Sequence, residues 1–129
     1  MPSKTILIVD DERPILSALG RVARRAGYPF EAFDDADAAL EAVQAGLEPV
    51  AAIVDHNMPG TDGLTLAERL RALRPGLRIL MLSGGIPGRE IVEARARGLL
   101  WFYAEKPWEL EWMRRVLVAL VEDEAPPLP

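Results

Sequence analysis

Five short apolar runs are spaced along this chain, with stretches of helical periodicity between them. Residues 4–9 carry Ile6-Leu7-Ile8-Val9 without period-two alternation, the pattern of a strand covered on both faces. Pro14 marks a helix start; Ile15, Leu16, Leu19, Val22, Ala23 and Ala26 then recur at helical spacing, with Gly27 as the stop. A second strand follows over 29–33. Asp34 or Asp35 caps a helix over 36–45, closed by Gly46. The third strand, 50–54, runs into Asp55 and a Pro/Gly-rich loop. Asp62 then caps a helix that turns Leu66, Leu70 and Leu73 inward and ends at Pro75-Gly76. Residues 78–82 form a fourth buried strand and 88–97 a short polar helix with the weakest apolar face. The fifth strand spans 99–104, and Lys106-Pro107 opens a last helix to about Val121. Strict alternation of five strands and five helices implies an α/β fold, a parallel sheet with helices on both faces.

At 129 residues the chain supports one core: a domain over 1–121, followed by an acidic, proline-rich segment over 122–129 that reads as a disordered tail or the start of a linker. The absence of cysteine removes disulfides and thiolate metal sites and fits a reducing cytoplasm. No apolar run reaches the roughly 18 residues of a membrane span, and Met1-Pro2-Ser3-Lys4 opens no secretory h-region. A net charge of −5 argues against direct nucleic-acid binding by this domain. The cations are nearly all arginine, and Lys4 and Lys106 are the only lysines. A lysine kept at a strand end points to a need for a compact ammonium there. The arginines read as a solvated face with helical partners such as Glu111–Arg115.

Four strand ends carry chemistry: Asp10-Asp11, Asp55, Ser83 and Lys106. In doubly wound sheets, ligands collect at the carboxyl ends of strands where the strand order reverses. If the first and third strands flank that point, Asp10, Asp11 and Asp55 converge, and their repulsion calls for a cation. Oxygen-only ligands favour a hard ion such as Mg²⁺. Carboxylates, a metal, a hydroxyl and an ammonium together suit phosphoryl transfer to a carboxylate. Asp55 is then the nucleophile, with Mg²⁺ on Asp10, Asp11 and the backbone carbonyl of Asn57, and with Lys106 and Ser83 on phosphoryl oxygens. One acid of Asp10-Asp11-Glu12, best Glu12, caps the first helix. His56 beside the site is expected to face solvent. Trp108, Trp112 and Met113 share helical spacing, mostly as core contacts with the fifth strand, with part of the surface left for a partner.

Four motifs carry a resemblance: Ile8-Val9-Asp10-Asp11-Glu12, the stretch from Val54-Asp55 through Met58-Pro59-Gly60 to Asp62-Gly63, Leu82-Ser83-Gly84, and Glu105-Lys106-Pro107-Trp108. In this order and spacing the chain resembles the receiver domains of bacterial two-component response regulators, of the Lys-Pro-Trp type. The resemblance implies a flavodoxin-like (βα)5 fold with strand order 2-1-3-4-5. It implies a histidine kinase or phosphotransfer protein that donates a phosphoryl group to Asp55, after which Ser83 and Tyr103 switch. The face built by the fourth helix, fifth strand and fifth helix then signals to a partner or output domain. A cis Lys106-Pro107 bond comes with the family. Ser83 stands where threonine is commoner, and Gly84-Gly85 leave the acceptor open to water. The aromatic-x-aromatic run before Lys106 resembles receivers that precede output domains. The rival reading is a small Mg²⁺-dependent phosphohydrolase with an aspartyl-phosphate intermediate. It wants a general acid two residues after the nucleophile, where this chain has Asn57.

Overall fold

A computed structural model describes residues 4–128; Met1-Pro2-Ser3 and Pro129, at the two ends of the sequence reading, lie outside it. The elements alternate as β1 (Ile6–Val9), α1 (Arg13–Ala26), β2 (Phe30–Phe33), α2 (Ala36–Gln44), β3 (Ala51–Asp55), α3 (Gly63–Leu73), β4 (Arg78–Ser83), α4 (Arg89–Ala96), β5 (Phe102–Glu105) and α5 (Leu110–Glu122). The sheet is parallel, in the order β2-β1-β3-β4-β5. This is the flavodoxin-like (βα)5 fold.

The unbroken apolar strands follow from burial on both faces. Leu7, Val9, Ala52, Val54, Ile79 and Met81 point to a core shared with Leu40, Leu66, Leu70 and Ile91 of α2, α3 and α4. Their neighbours Ile6, Ile8, Ala51, Ile53, Leu80 and Leu82 point to the opposite core with Leu19, Val22, Met113, Val116 and Leu117 of α1 and α5. Each fully buried aliphatic side chain contributes roughly 1.5–3 kcal/mol, so both faces of every central strand are specified.

Local signals set most helix ends. Asp35 accepts the Ala38 N–H and Asp62 the Thr65 N–H, both at 2.8 Å, and Gly27 closes α1 at φ +86°. Two boundaries differ from the sequence pattern by more than two residues. Leu99 and Leu100 precede β5 and pack into the core, where the Trp101 N–H reaches the Ile79 carbonyl at 2.8 Å. The last helix begins at Leu110 rather than at Lys106-Pro107. The Lys106-Pro107 peptide is cis, and the Glu109 carboxylate accepts the N–H groups of Glu111 and Trp112 as the helix cap.

Three arginines do not form the solvated face expected of them. Arg78 donates from Nε and Nη2 to the carbonyls of Leu120 and Val121, both at 2.8 Å. Arg74 reaches the carbonyls of Val43 and Leu47, and Arg71 those of Gly98 and Leu99. Arg78 thereby satisfies two carbonyls in the last turn of α5, where a helix leaves them without an intrahelical partner. Arg74 and Arg71 bond carbonyls at and just past the ends of α2 and α4. Glu111 pairs with Arg114 at i,i+3, not with Arg115, and Nε lies 2.9 Å from its carboxylate. Past α5 the chain turns back: Asp123 adopts φ +58°, and the Glu124 N–H bonds the Ala119 carbonyl at 2.9 Å.

Candidate functional site

The strand register assembles the site. Val9 lies opposite Val54, Asp55 opposite Leu82 and Ser83 opposite Glu105, so Asp10, Asp55, Ser83 and Lys106 emerge side by side at one edge of the sheet. Three backbone bonds lock these ends: Asp10 N–H to the Phe33 carbonyl, His56 N–H to Leu82 and Lys106 N–H to Ser83. The loop after Asp55 is clamped by Gly63. Its N–H bonds the His56 carbonyl, and a Cβ on it would lie 2.4 Å from the Asp55 carbonyl oxygen. Glycine is required there by close backbone approach.

The charges then meet. Asp10 is fully buried and Asp55 is 2% exposed. Lys106 Nζ lies 3.0 Å from Asp10 Oδ2, 3.3 Å from Asp55 Oδ1 and 3.1 Å from Glu12 Oε2. Asp10 Oδ1 accepts the Glu12 N–H at 2.9 Å, while Oδ2 is buried and has the ammonium near it without an aligned hydrogen bond. Asp55 Oδ1 accepts the Asn57 N–H at 3.4 Å.

Burial raises the Asp10 carboxyl above the ordinary carboxylate range, against the Glu12 N–H and Lys106, which lower it. Burial, and then the Asp10 charge, push Asp55 up to about 6, with Lys106 opposing. Burial pulls on the Lys106 ammonium too, but its contacts with Asp10, Glu12 and Asp55 outweigh that and hold it firmly charged.

Of the residues singled out from the sequence, the structure brings together Asp10, Asp11, Asp55 and Lys106. Asp10, Asp11 and Asp55 offer carboxylate oxygens within 4.8 Å of one another. A cavity of about 160 Å³ is lined by Asp11, Glu12, Asp55, Asn57, Gly84 and Lys106. Ser83 sits at the adjoining strand end, but its hydroxyl donates to the Gly85 carbonyl at 2.8 Å. Tyr103 stacks on Phe102, packs against the α2–α4 core and lines a separate groove with Pro107 and Trp108.

Two expectations are corrected. Glu12 holds the N-cap position of α1, yet its side chain caps nothing and pairs with Lys106 instead, a stronger partner than a backbone N–H. His56 does not face solvent: its side chain is largely buried, and Nε2 lies 3.3 Å from Glu90 Oε1 on α4. Glu12 as a lysine partner was visible only as the third acid of its motif. The His56–Glu90 contact joins residues 34 positions apart and leaves no local signal.

An all-oxygen donor set, with the buried Asp10 Oδ2 lacking an aligned donor, fits a hard divalent cation. The arrangement also holds one ammonium and one buried carboxylate at a small cavity mouth, the equipment of an anionic transfer reaction.

Comparison with known proteins gives the family. Residues 6–117 match the response regulator receiver domain, and the chain belongs to that family. It is 35% identical to the response regulator MprA of a Mycobacterium species over 131 aligned positions, covering 96% of this chain and 55% of that protein. Among solved structures it superposes on a CheY-like receiver domain of Methanospirillum hungatei with a TM-score of 0.85 at 25% identity, covering 95% and 96% of the two chains. The response regulator TrrA of Thermotoga maritima, solved with Mg²⁺ and BeF, gives a TM-score of 0.78 at 25% identity, covering 91% and 98%. The chain spans between 26% and 58% of the first curated relatives it matches. Among the described residues, no helix is long and apolar enough to cross a membrane.

Proposed function

We propose that Asp55 accepts a phosphoryl group from a sensor histidine kinase or a phosphotransfer protein in the cytoplasm, and that the chain then signals to a partner protein or an output domain. A carboxylate oxygen of Asp55 attacks phosphorus while the bond from phosphorus to the donor imidazole nitrogen breaks. The nitrogen keeps the electron pair, and an acyl phosphate forms on Asp55. Asp10, Asp11, Asp55 and the Asn57 carbonyl would hold Mg²⁺, which when bound neutralises the carboxylates and the charge on the phosphoryl oxygens.

This chain's residues do the rest. Buried Asp10 anchors Lys106, and Lys106 offers its ammonium to one phosphoryl oxygen. The Ser83 hydroxyl leaves the Gly85 carbonyl to donate to another, and Tyr103 follows on the face of α4, β5 and α5. The observation that carries the reading is a buried Asp55 that meets Lys106 at 3.3 Å on the wall of a small acidic cavity. The TrrA complex with Mg²⁺ and BeF lends support, since its fold superposes on this one.

We assign no turnover of outside substrates. Asn57, two residues past Asp55, carries an amide that cannot protonate a leaving group. The test is incubation with acetyl phosphate and Mg²⁺, followed by intact mass and by fluorescence with beryllium fluoride. One phosphoryl group on the wild type and none on Asp55→Asn is expected. No adduct on either, an equal adduct on both, or sustained hydrolysis of small phosphate esters would overturn the reading.

A further inference from the structure

Glu12 is the acid at the site that phosphoryl transfer to Asp55 leaves without a task. Its backbone N–H is fixed on Asp10 Oδ1 at 2.9 Å, and its carboxylate leaves the start of α1 to meet the Lys106 ammonium at 3.1 Å. An ammonium has three N–H groups. Three carboxylates stand within reach of this one: Asp10 at 3.0 Å, Glu12 at 3.1 Å and Asp55 at 3.3 Å. The bond to Glu12 is aligned, whereas the buried Asp10 Oδ2 has no aligned donor. Lys106 is therefore fully engaged before any phosphoryl oxygen arrives. Glu12, Asp55 and Lys106 all line the cavity of about 160 Å³ that the oxygen would enter.

One of the three contacts must yield when an anion enters. Asp10 is fully buried, so stranding its charge would carry the full desolvation cost. Asp55 bears the entering group. The Glu12 side chain is 59% exposed, and water replaces the ammonium there at little cost. Glu12 Oε2 is thus an anionic oxygen already lodged at the cavity, on an N–H that the entering oxygen requires.

We propose that Glu12 is a positioning residue whose carboxylate stands in for a phosphoryl oxygen on Lys106. It holds the ammonium aligned in the resting site and must be displaced before the anion binds. The proposal rests on Asp55 as the phosphoryl acceptor, and the experiment has one arm that needs no phosphoryl mimic. Lys4 and Lys106 are the only lysines, so lysine labelled with ¹⁵N at Nζ gives two signals, and Lys106→Met identifies which is which. Glutamine keeps the size and an acceptor oxygen but removes the charge. With no anion or metal added, Glu12→Gln should speed solvent exchange of the Lys106 ammonium protons about threefold or more, followed in the cold. Titration with beryllium fluoride and Mg²⁺, read by tryptophan fluorescence, should give a dissociation constant about threefold lower in Glu12→Gln than in wild type. In a Lys106→Met background Glu12→Gln should leave that constant unchanged, whereas general repulsion of the anion by Glu12 would persist there. Equal ammonium exchange in wild type and Glu12→Gln, equal or weaker binding by Glu12→Gln, or the same gain without Lys106 would overturn the proposal alone. No beryllium fluoride binding by wild type or any variant would overturn the Asp55 reading and the proposal with it.

Discussion

Lys106 Nζ lies 3.0 Å from the buried Oδ2 of Asp10, so an ammonium on β5's end is aimed by a carboxylate on β1's end. The same ammonium reaches Asp55 at 3.3 Å and Glu12 at 3.1 Å. One cation therefore faces three acids. That imbalance sets the chemistry of the site, and it can be tested from either side.

Removing the ammonium with Lys106→Met should raise Asp55 further above its position near 6, since Lys106 is among the groups that lower it. A carboxyl titration followed by ¹³C NMR checks this, and an unmoved or lower midpoint would contradict the assigned contact. The yield of the acetyl phosphate adduct should fall at least tenfold, because a phosphoryl oxygen loses its charge partner.

Removing the acid has the opposite sign. Asp55 binds its proton more tightly in the folded state than in the unfolded chain, from about 4 to about 6. Without metal, stability should therefore fall as pH rises from about 4 through 6 and level off above. Asp55→Asn should remove the Asp55 share of that slope, leaving the part due to Asp10, and stabilise the metal-free protein at neutral pH by on the order of 2 kcal/mol, several degrees in melting temperature. Mg²⁺ should recover part of the loss in wild type and little in the variant. Urea titrations at pH 4.5 and 7.5 decide it; a variant no more stable at 7.5 would contradict the prediction.

The two glycines near the site should answer differently to alanine. A Cβ at Gly63 meets the Asp55 carbonyl oxygen at 2.4 Å and the His56 Cα at 2.7 Å, both backbone atoms that cannot step aside. Gly63→Ala should cost about 2 kcal/mol or more. A Cβ at Gly84 finds only Asn57 Nδ2, at an ordinary 3.6 Å, so Gly84→Ala should stay within about 0.5 kcal/mol of wild type. Chemical denaturation of the pair is the check, and equal losses would refute the distinction.

Arg78→Met should cost about 2 kcal/mol by stranding the Leu120 and Val121 carbonyls, with faster amide exchange confined first to the end of α5. Arg78→Lys should rescue little, since a single ammonium does not reproduce the two-pronged donor. Full rescue by lysine would show that charge alone matters there.

The alternation of elements, the caps at Asp35 and Asp62 and the four reactive strand ends were legible in the sequence because each is a local signal. Unbroken runs such as Ile6–Val9 declare burial on both faces, and parallel pairing then has to bring their carboxyl ends together. Asp10, Asp55 and Lys106 could be read as one site for that reason. Four other features depended on contacts between residues distant in sequence. Glu12 left its helix for Lys106, His56 turned to Glu90, Arg74 and Arg78 went to the ends of other helices, and Pro127 returned to Trp112. In each case a polar group had a satisfactory local partner or water available. The fold decided against it by bringing a stronger or better desolvated partner within reach, which no periodicity along the chain encodes.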